Sequence, residues 1–431
     1  MKYLLFALCI SELLLTTYLQ NFAGPFISPV LLLGCSAGVA FCYLRIALQP
    51  AIALAATPKI NPKLVFALQV AAVLLLSFIT INTLRTIWWV DATKHNAGTS
   101  DIIQNITVMV KRFLAREQPY TTIHLEGYDL SPTYLPLQWL PYAITEWMHK
   151  DYRWVPAVSL WLASLYFFAR NSKLRYTGLP LAFKVLLPVW PLIVWYTSVT
   201  HSYPMFQLTV EGLIAAYYLV VATSISEKRI WILAAGIALC LLSRFSIILW
   251  FPLCLAAFFI AGEKKKALVI GGTFLVCFIL FYWLPFLRHD PMVFIKGYQY
   301  YSHATLDEWQ RDIPIQGKYF LDNGLGFTSW ALKLVPGNPE HILSVYQGFH
   351  LLACSLTIFA LLLFYWLKRS TIPLSVFLLF SFKIYLAVFY SFIQLPYNYL
   401  FLVPVIISSA LLANGFYPAH TSLQKKLILS E

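Results

Sequence analysis

Apolar runs alternate with short polar connectors along the whole chain. They fall near residues 3–20, 28–48, 64–84, 154–170, 179–198, 206–224, 230–243, 246–261, 267–286, 343–366, 372–393 and 397–414. Crossing a hydrocarbon core about 30 Å thick takes about 17–25 residues of helix, and most of these runs have that length. The pattern predicts an all-α polytopic membrane protein with about twelve transmembrane helices. Only two connectors are long, about 85–153 and 287–342. The expected organisation is an N-terminal transmembrane pair at 1–63, a core at 64–415 that carries both long loops, and a tail at 416–431. The first run, from Lys2 to about Leu19, has the basic start and apolar middle of a signal peptide. Glu12 interrupts it and no small-x-small cleavage site follows, so it reads as a helix.

Inside the first long loop the period changes. Ile102, Ile103, Ile106, Val110, Phe113 and Leu114 recur at helical spacing, with Lys111, Arg112 and Arg116 near the end. The spacing predicts an amphipathic helix lying along the membrane surface, apolar side down. Residues 133–149, rich in Trp, Tyr and Leu and broken by Pro136 and Pro141, read as a second interfacial segment. Asp101 opens the first helix. There it can cap the backbone N–H groups, and a carboxylate at the lip of a membrane cavity also suits a general base. Asp91 follows the third apolar run in the same loop.

Composition agrees with the pattern: 60% of the 431 residues are hydrophobic and 11% charged, with mean hydropathy +0.70. Soluble domains carry about 25% charged residues. The net charge of +13 is not spread evenly. With both termini cytoplasmic, the connectors on that side hold sixteen lysines and arginines against three acids, and those on the other side twelve against thirteen. That is the positive-inside pattern, and it puts both long loops on the extracytoplasmic face of a cell (inner or plasma) membrane. Basic residues scattered over short turns do not make a nucleic-acid patch. All seven cysteines lie in apolar runs, with no CxxC and no Cys/His cluster, so neither a disulfide nor a metal site is expected.

One cation stands at an unusual depth. Residues 230–261 are flanked by Lys228 and Arg229 on one side and by Glu263 and Lys264–Lys266 on the other, so the chain must rise and return. The first arm, 230–243, reaches only about 21 Å, short of a ~30 Å core. Arg244, in the turn, should sit below the outer surface facing something polar. The readings are a lipid phosphate held by the guanidinium fork, an ion pair with a buried acid such as Glu211, or plain snorkelling. Lys383 and Glu211 each interrupt an apolar run, where they can pair, line a cavity or snorkel. Lys184 and Glu12 lie near helix ends and read as snorkelling. In the second long loop, the aromatic and polar run 297–310 and the groups Arg288, His289, Asp290 and His303 suit sugar binding and equally the membrane interface. Residues 324–327 read as a flexible turn.

The strings Ser100-Asp101-Ile102, Arg116-Glu117-Gln118-Pro119-Tyr120 and Tyr134-Leu135-Pro136-Leu137 together resemble the outer-loop pattern of GT-C glycosyltransferases, most closely the bacterial polyprenyl-phosphate-mannose-dependent mannosyltransferases. Asp290-Pro291-Met292-Val293-Phe294 resembles that family's entry to its second loop, and Tyr397–Pro404 its last span. Leu135 stands where the family has its first Pro, and three apolar runs precede the Asp loop instead of one.

The resemblance implies inverting transfer of a sugar, mannose in the closest members, from a polyprenyl-phosphate donor to an extracytoplasmic hydroxyl of a glycan or glycolipid. It implies no cofactor and no metal. Asp101, with Asp91 as the second carboxylate, would be the catalytic base. Arg244, Lys94, His95 and Arg288 would hold the lipid phosphate. Tyr134, His201, Asp290, His303 and Tyr397 would line the sugar or acceptor site. A transporter or flippase of lipid-linked saccharides is the alternative for a chain of twelve spans, although transporters usually show related halves and none is visible here. A non-catalytic assembly subunit is the third reading.

Overall fold

The computed structural model describes residues 1–19, 23–49, 60–88, 101–125, 128–172, 179–201, 203–227, 229–310, 314–315, 318–319 and 324–417. Apart from two short hairpins, the regular structure among them is helical. Every one of the twelve apolar runs coincides with a helix. Seven helical segments are long and apolar enough to cross a bilayer: Gly24–Leu48 (α2), Pro62–Ile87 (α3), Leu181–His201 (α8), Lys264–Leu287 (α13 with a π-helical end), Pro339–Lys368 (α16), Leu374–Ser391 (α17) and Asn398–Phe416 (α18 with its leading 3-10 turn). The shorter apolar helices are Lys2–Thr17 (α1), Glu211–Ser224 (α10), Ile230–Leu241 (α11) and Trp250–Ile260 (α12). Trp154–Asn171 (α7) packs along α10 and α8.

Burial separates a protein core from a lipid-facing rim. Over their most apolar 18 residues, Asn398–Phe416 has 89% of its residues buried and Pro339–Lys368 has 17%. Leu74, Leu75 and Phe78 on α3, Leu268 on α13, and Leu351, Phe359 and Trp366 on α16 are exposed. So many large apolar side chains outside a fold mark a membrane or protein-contact surface, and the length of the helices that carry them fits a membrane. At the centre lies α10, which has no polar stripe and is buried on nearly all sides. Gly212 permits its close approach to α7, since a Cβ there would sit 2.9 Å from the Pro156 carbonyl oxygen.

Contacts sort the helix ends into two layers. In one, Lys2 reaches the Phe416 carbonyl, and Phe183 at the start of α8 stacks on Phe416 with ring centroids 5.4 Å apart. In the other, Tyr18 beyond α1 meets His201 at the end of α8, and Trp88 beyond α3 meets Trp154 at the start of α7. The long loops belong to this second layer.

One intramembrane charge differs from the sequence reading. Glu12 does not snorkel. It is fully buried and pairs with fully buried Lys383 of α17, Nζ to Oε1 at 2.5 Å. Ser36 and Ser408 donate to the same carboxylate, and Lys383 also donates to the Pro404 carbonyl at 2.8 Å. This cluster ties α1 and α2 into α17 and α18, so the first two helices are built into the core instead of standing ahead of it as a separate pair. Glu211 pairs with Arg244, one of the readings given for that turn, and not with Lys383.

Candidate functional site

The first long loop forms helix α4 (Asp101–Leu114), a hairpin of β1 (Ile123–Leu125) and β2 (Tyr128–Leu130), and a broken helical stretch of α5 (Pro136–Trp139), a 3-10 turn (Leu140–Tyr142) and α6 (Ala143–Trp147). Asp101 is the first helical residue of α4, in the turn where the helix dipole favours an anion. The expected surface helix exists, but its apolar side does not face lipid. Ile103, Ile106, Met109 and Val110 are buried in one cluster with Trp139, Tyr142, Leu242, Tyr282 and Phe286. Protein side chains from the second apolar stretch of the loop and from α13 supply the cover. In α6, by contrast, Ile144, Trp147 and Met148 are exposed, as an interfacial segment requires.

The turn that carries Arg244 is short for the expected reason: α11 has 12 residues, about 18 Å of helix. The first loop descends to meet it. The Leu137 N–H donates to the Leu242 carbonyl at 2.8 Å, and the Tyr217 hydroxyl to the Leu137 carbonyl at 3.3 Å. Arg244 Nη1 donates to Glu211 Oε1 at 2.7 Å, and the guanidinium also bonds the Tyr390 hydroxyl. From Tyr390 the network runs through Ser246 (3.2 Å) to Tyr218 (2.7 Å). Among the described residues Arg244 is paired with Glu211, as the ion-pair reading expected. The Arg244 side chain keeps 17% exposure, against 1% for Glu211.

Tyrosines crowd this pair. Tyr301 and Tyr399 lie within electrostatic reach of Arg244, and Tyr134 and Tyr397 within reach of Tyr399. Tyr397 and Tyr399 stack 5.2 Å apart. The Tyr134 carbonyl accepts from Tyr120, whose oxygen accepts from Trp139 Nε1.

The second loop supplies helix α14 (Val293–Gln310), hairpin strands β3 (Pro314–Ile315) and β4 (Lys318–Tyr319), and helix α15 (Thr328–Leu334). It lies on the first loop: the Tyr300 hydroxyl donates to the Asp129 carbonyl at 2.8 Å, and Gly297 sits beside Pro132 and Thr133. Tyr300 is within reach of the carboxylates of Asp101, Asp307 and Asp129. Burial, and then those charges, raise its pKa. Burial pushes the neighbouring Tyr301 up to about 12. Two consecutive residues of α14 therefore lie within electrostatic reach of the two candidate centres, Tyr300 of Asp101 and Tyr301 of Arg244. The glycines of 324–327 are a close contact more than a hinge, since a Cβ on Gly324 would lie 2.4 Å from Pro396. Trp309 and Thr328 close the same seam by donating to the Gln394 carbonyl.

Of the expected site residues, Arg244, Tyr134 and Tyr397 lie within electrostatic reach of Tyr399, and Asp101 within reach of Tyr300 on α14. Asp91, Lys94 and His95 lie outside the described residues. Arg288 is exposed and bonds His289. Asp290 pairs with Lys296 at 2.7 Å and accepts the Met292 N–H, and the ammonium holds its pKa below the ordinary value. His303 is exposed on α14, and His201 contacts Thr200 and Tyr18. Tyr390, Ser246 and Tyr218 escaped the sequence reading because hydroxyl side chains within apolar runs carry no periodic signal. Among the described residues no three His, Cys, Asp or Glu side chains gather as metal ligands. Comparison with family models, with curated proteins and with solved structures finds no match in any of the three.

Proposed function

We propose that the chain is a twelve-span membrane glycosyltransferase that moves a sugar, mannose first among candidates, from a polyprenyl phosphate to an extracytoplasmic hydroxyl. The observation that supports this best is that the two long loops meet, through the Tyr300–Asp129 hydrogen bond, and that the first of them also bonds the turn of Arg244, through Leu137 and Leu242. In the reaction the acceptor O–H proton passes to Asp101. The acceptor oxygen bonds the anomeric carbon from one face, and the carbon–oxygen bond to the lipid phosphate breaks on the other, inverting the centre. Glu211 fixes one edge of the guanidinium, and the remaining N–H donors of Arg244 serve the departing phosphate. A planar cation oriented by a carboxylate loses less freedom when it binds.

The transporter reading draws less support. The Glu12–Lys383 pair is closed off, and each of its charges has several partners within the bundle. The test is a donor screen with protein in lipid nanodiscs and polyprenyl-phosphate mannose, glucose or arabinose labelled in the sugar. Label moving to a glycoside acceptor with inversion is the expected result. Labelled lipid crossing the bilayer unconsumed would make the protein a flippase.

A further inference from the structure

The bond between Arg244 and Glu211 is a single one. Nη1 reaches Oε1 at 2.7 Å, while Oε2 of the same buried carboxylate has no hydrogen-bond partner. A bidentate pair would hold the guanidinium by two parallel bonds and fix its plane. One bond leaves the plane free to turn about that contact. The backbone does not compensate. Arg244 stands in extended conformation (φ −156°, ψ 143°) between α11 and the 3-10 turn Phe245–Ile247, so no helix sets the direction of its side chain.

Tyr390 supplies a second contact, its hydroxyl bonding the guanidinium. A guanidinium has donors only, so the Tyr390 oxygen accepts, and its own hydrogen is left for Ser246 Oγ, 3.2 Å away. Ser246 lies in turn 2.7 Å from the Tyr218 hydroxyl. All three hydroxyl side chains are buried, where such a chain is stronger than in water. Ser246 belongs to the Arg244 turn itself, so Tyr390 grips that turn at two places. Tyr390 is itself held by the second long loop. It is the last residue but one of α17, and the carbonyls that follow it accept from that loop. Ser391 accepts from the Phe327 N–H at 2.8 Å, Ile393 from Thr328 Oγ1 at 3.1 Å and Gln394 from Trp309 Nε1 at 3.1 Å.

We propose that Tyr390 is a positioning residue: its hydroxyl fixes the guanidinium plane that Glu211 alone leaves free, and so aims the remaining donors of Arg244 at an anionic ligand. Because the second loop holds the end of α17, the aim of Arg244 is set by that loop as well as by the helix bundle. That the anion is a lipid phosphate rests on the proposed glycosyl transfer. The fixing of the guanidinium does not.

The test compares wild type, Tyr390→Phe and Ser246→Ala in lipid nanodiscs. Phenylglyoxal modifies arginine, and peptide mass spectrometry reads its rate at Arg244. Arg153, buried and paired with Asp151, is the reference in the same digest. Tyr390→Phe keeps the buried ring and removes only the hydroxyl. It should be modified several-fold faster at Arg244 and at the wild-type rate at Arg153, and Ser246→Ala should show a smaller rise. Tyr390→Phe should also weaken the binding of undecaprenyl phosphate, and raise the donor KM, about tenfold, the size expected for one bond to a charged group. Its kcat should change little. An unchanged rate at Arg244, or an equal rise at Arg153, would overturn the positioning role. So would faster modification with wild-type affinity and donor KM. If modification responds as expected in a protein that neither binds undecaprenyl phosphate nor turns over a donor, the fixing of the guanidinium stands and the transferase reading falls.

Discussion

A carboxylate in the first turn of a helix has a stabilising role whatever else it does, so Asp101 has to be tested by a change that preserves that role. Asparagine serves a helix start about as well as aspartate but takes no proton. Asp101→Asn should insert and bind donor normally and lose about 10²–10⁴ in rate, while Asp91→Asn loses much less. Ordinary turnover in the first variant would remove the base from this helix. Arg244 needs a paired design, because Arg244→Ala alone leaves Glu211 buried and uncompensated. The double variant Glu211→Gln/Arg244→Gln has no such defect. If Arg244 holds phosphate, its donor KM rises well above that of Glu211→Gln alone, and equal KM values would leave the pair a purely structural bridge. Two residues outside the site carry backbone strain. Arg116 (φ 61°) and His149 (φ 51°) are left-handed. Each ends a helix in a Schellman turn, with Glu117 N–H to the Arg112 carbonyl and Lys150 N–H to the Thr145 carbonyl. His149→Gly should raise stability by about 1 kcal/mol, because glycine takes that conformation without steric cost.

Among the elements, the attachment of α1 carries the clearest energetic consequence. Its link to α17 is a fully buried ion pair, and removing one partner of such a pair costs about 3–5 kcal/mol. Lys383→Met should therefore lower the melting temperature sharply, while Glu12→Gln/Lys383→Met recovers most of it. Failure of the double variant to recover would mean that the serine bonds, and not the charges, hold the helix. Helix α11 shows how length sets position. Twelve residues cannot span the bilayer, so the following turn is met by the first loop inside the fold, where the Leu137–Leu242 bond joins them.

For the whole molecule, the contact between Tyr300 and Asp129 places the two long loops on one side, and the expectation from the charge distribution is that this side is extracytoplasmic. Reporter tags inserted at residues 61 and 265 should be cytoplasmic, and tags at 125 and 337 extracytoplasmic. Reporters at 125 and 265 on the same side would end this topology. Seven helices satisfy length and composition for crossing. The same tag series, extended to the ends of α7 and α10, measures whether the shorter helices complete twelve crossings.

The chain alone determined the helical class, the positions of the apolar helices, the two long loops, the helix headed by Asp101 and the shallow turn at Arg244. Each of these follows from local quantities: run length, period and the placement of charge against about 30 Å of hydrocarbon. The tertiary structure decided partners. Glu12 took Lys383 from 371 positions away, and Glu211 took Arg244. Helix α4 turned its apolar side to Trp139 and Phe286 instead of lipid. Tyr390, Ser246 and Tyr218 became a network joining three helical segments. No periodicity encodes such pairings, because a buried charge or hydroxyl bonds whatever complementary group the packing brings within reach. That choice is made only when the helices are assembled.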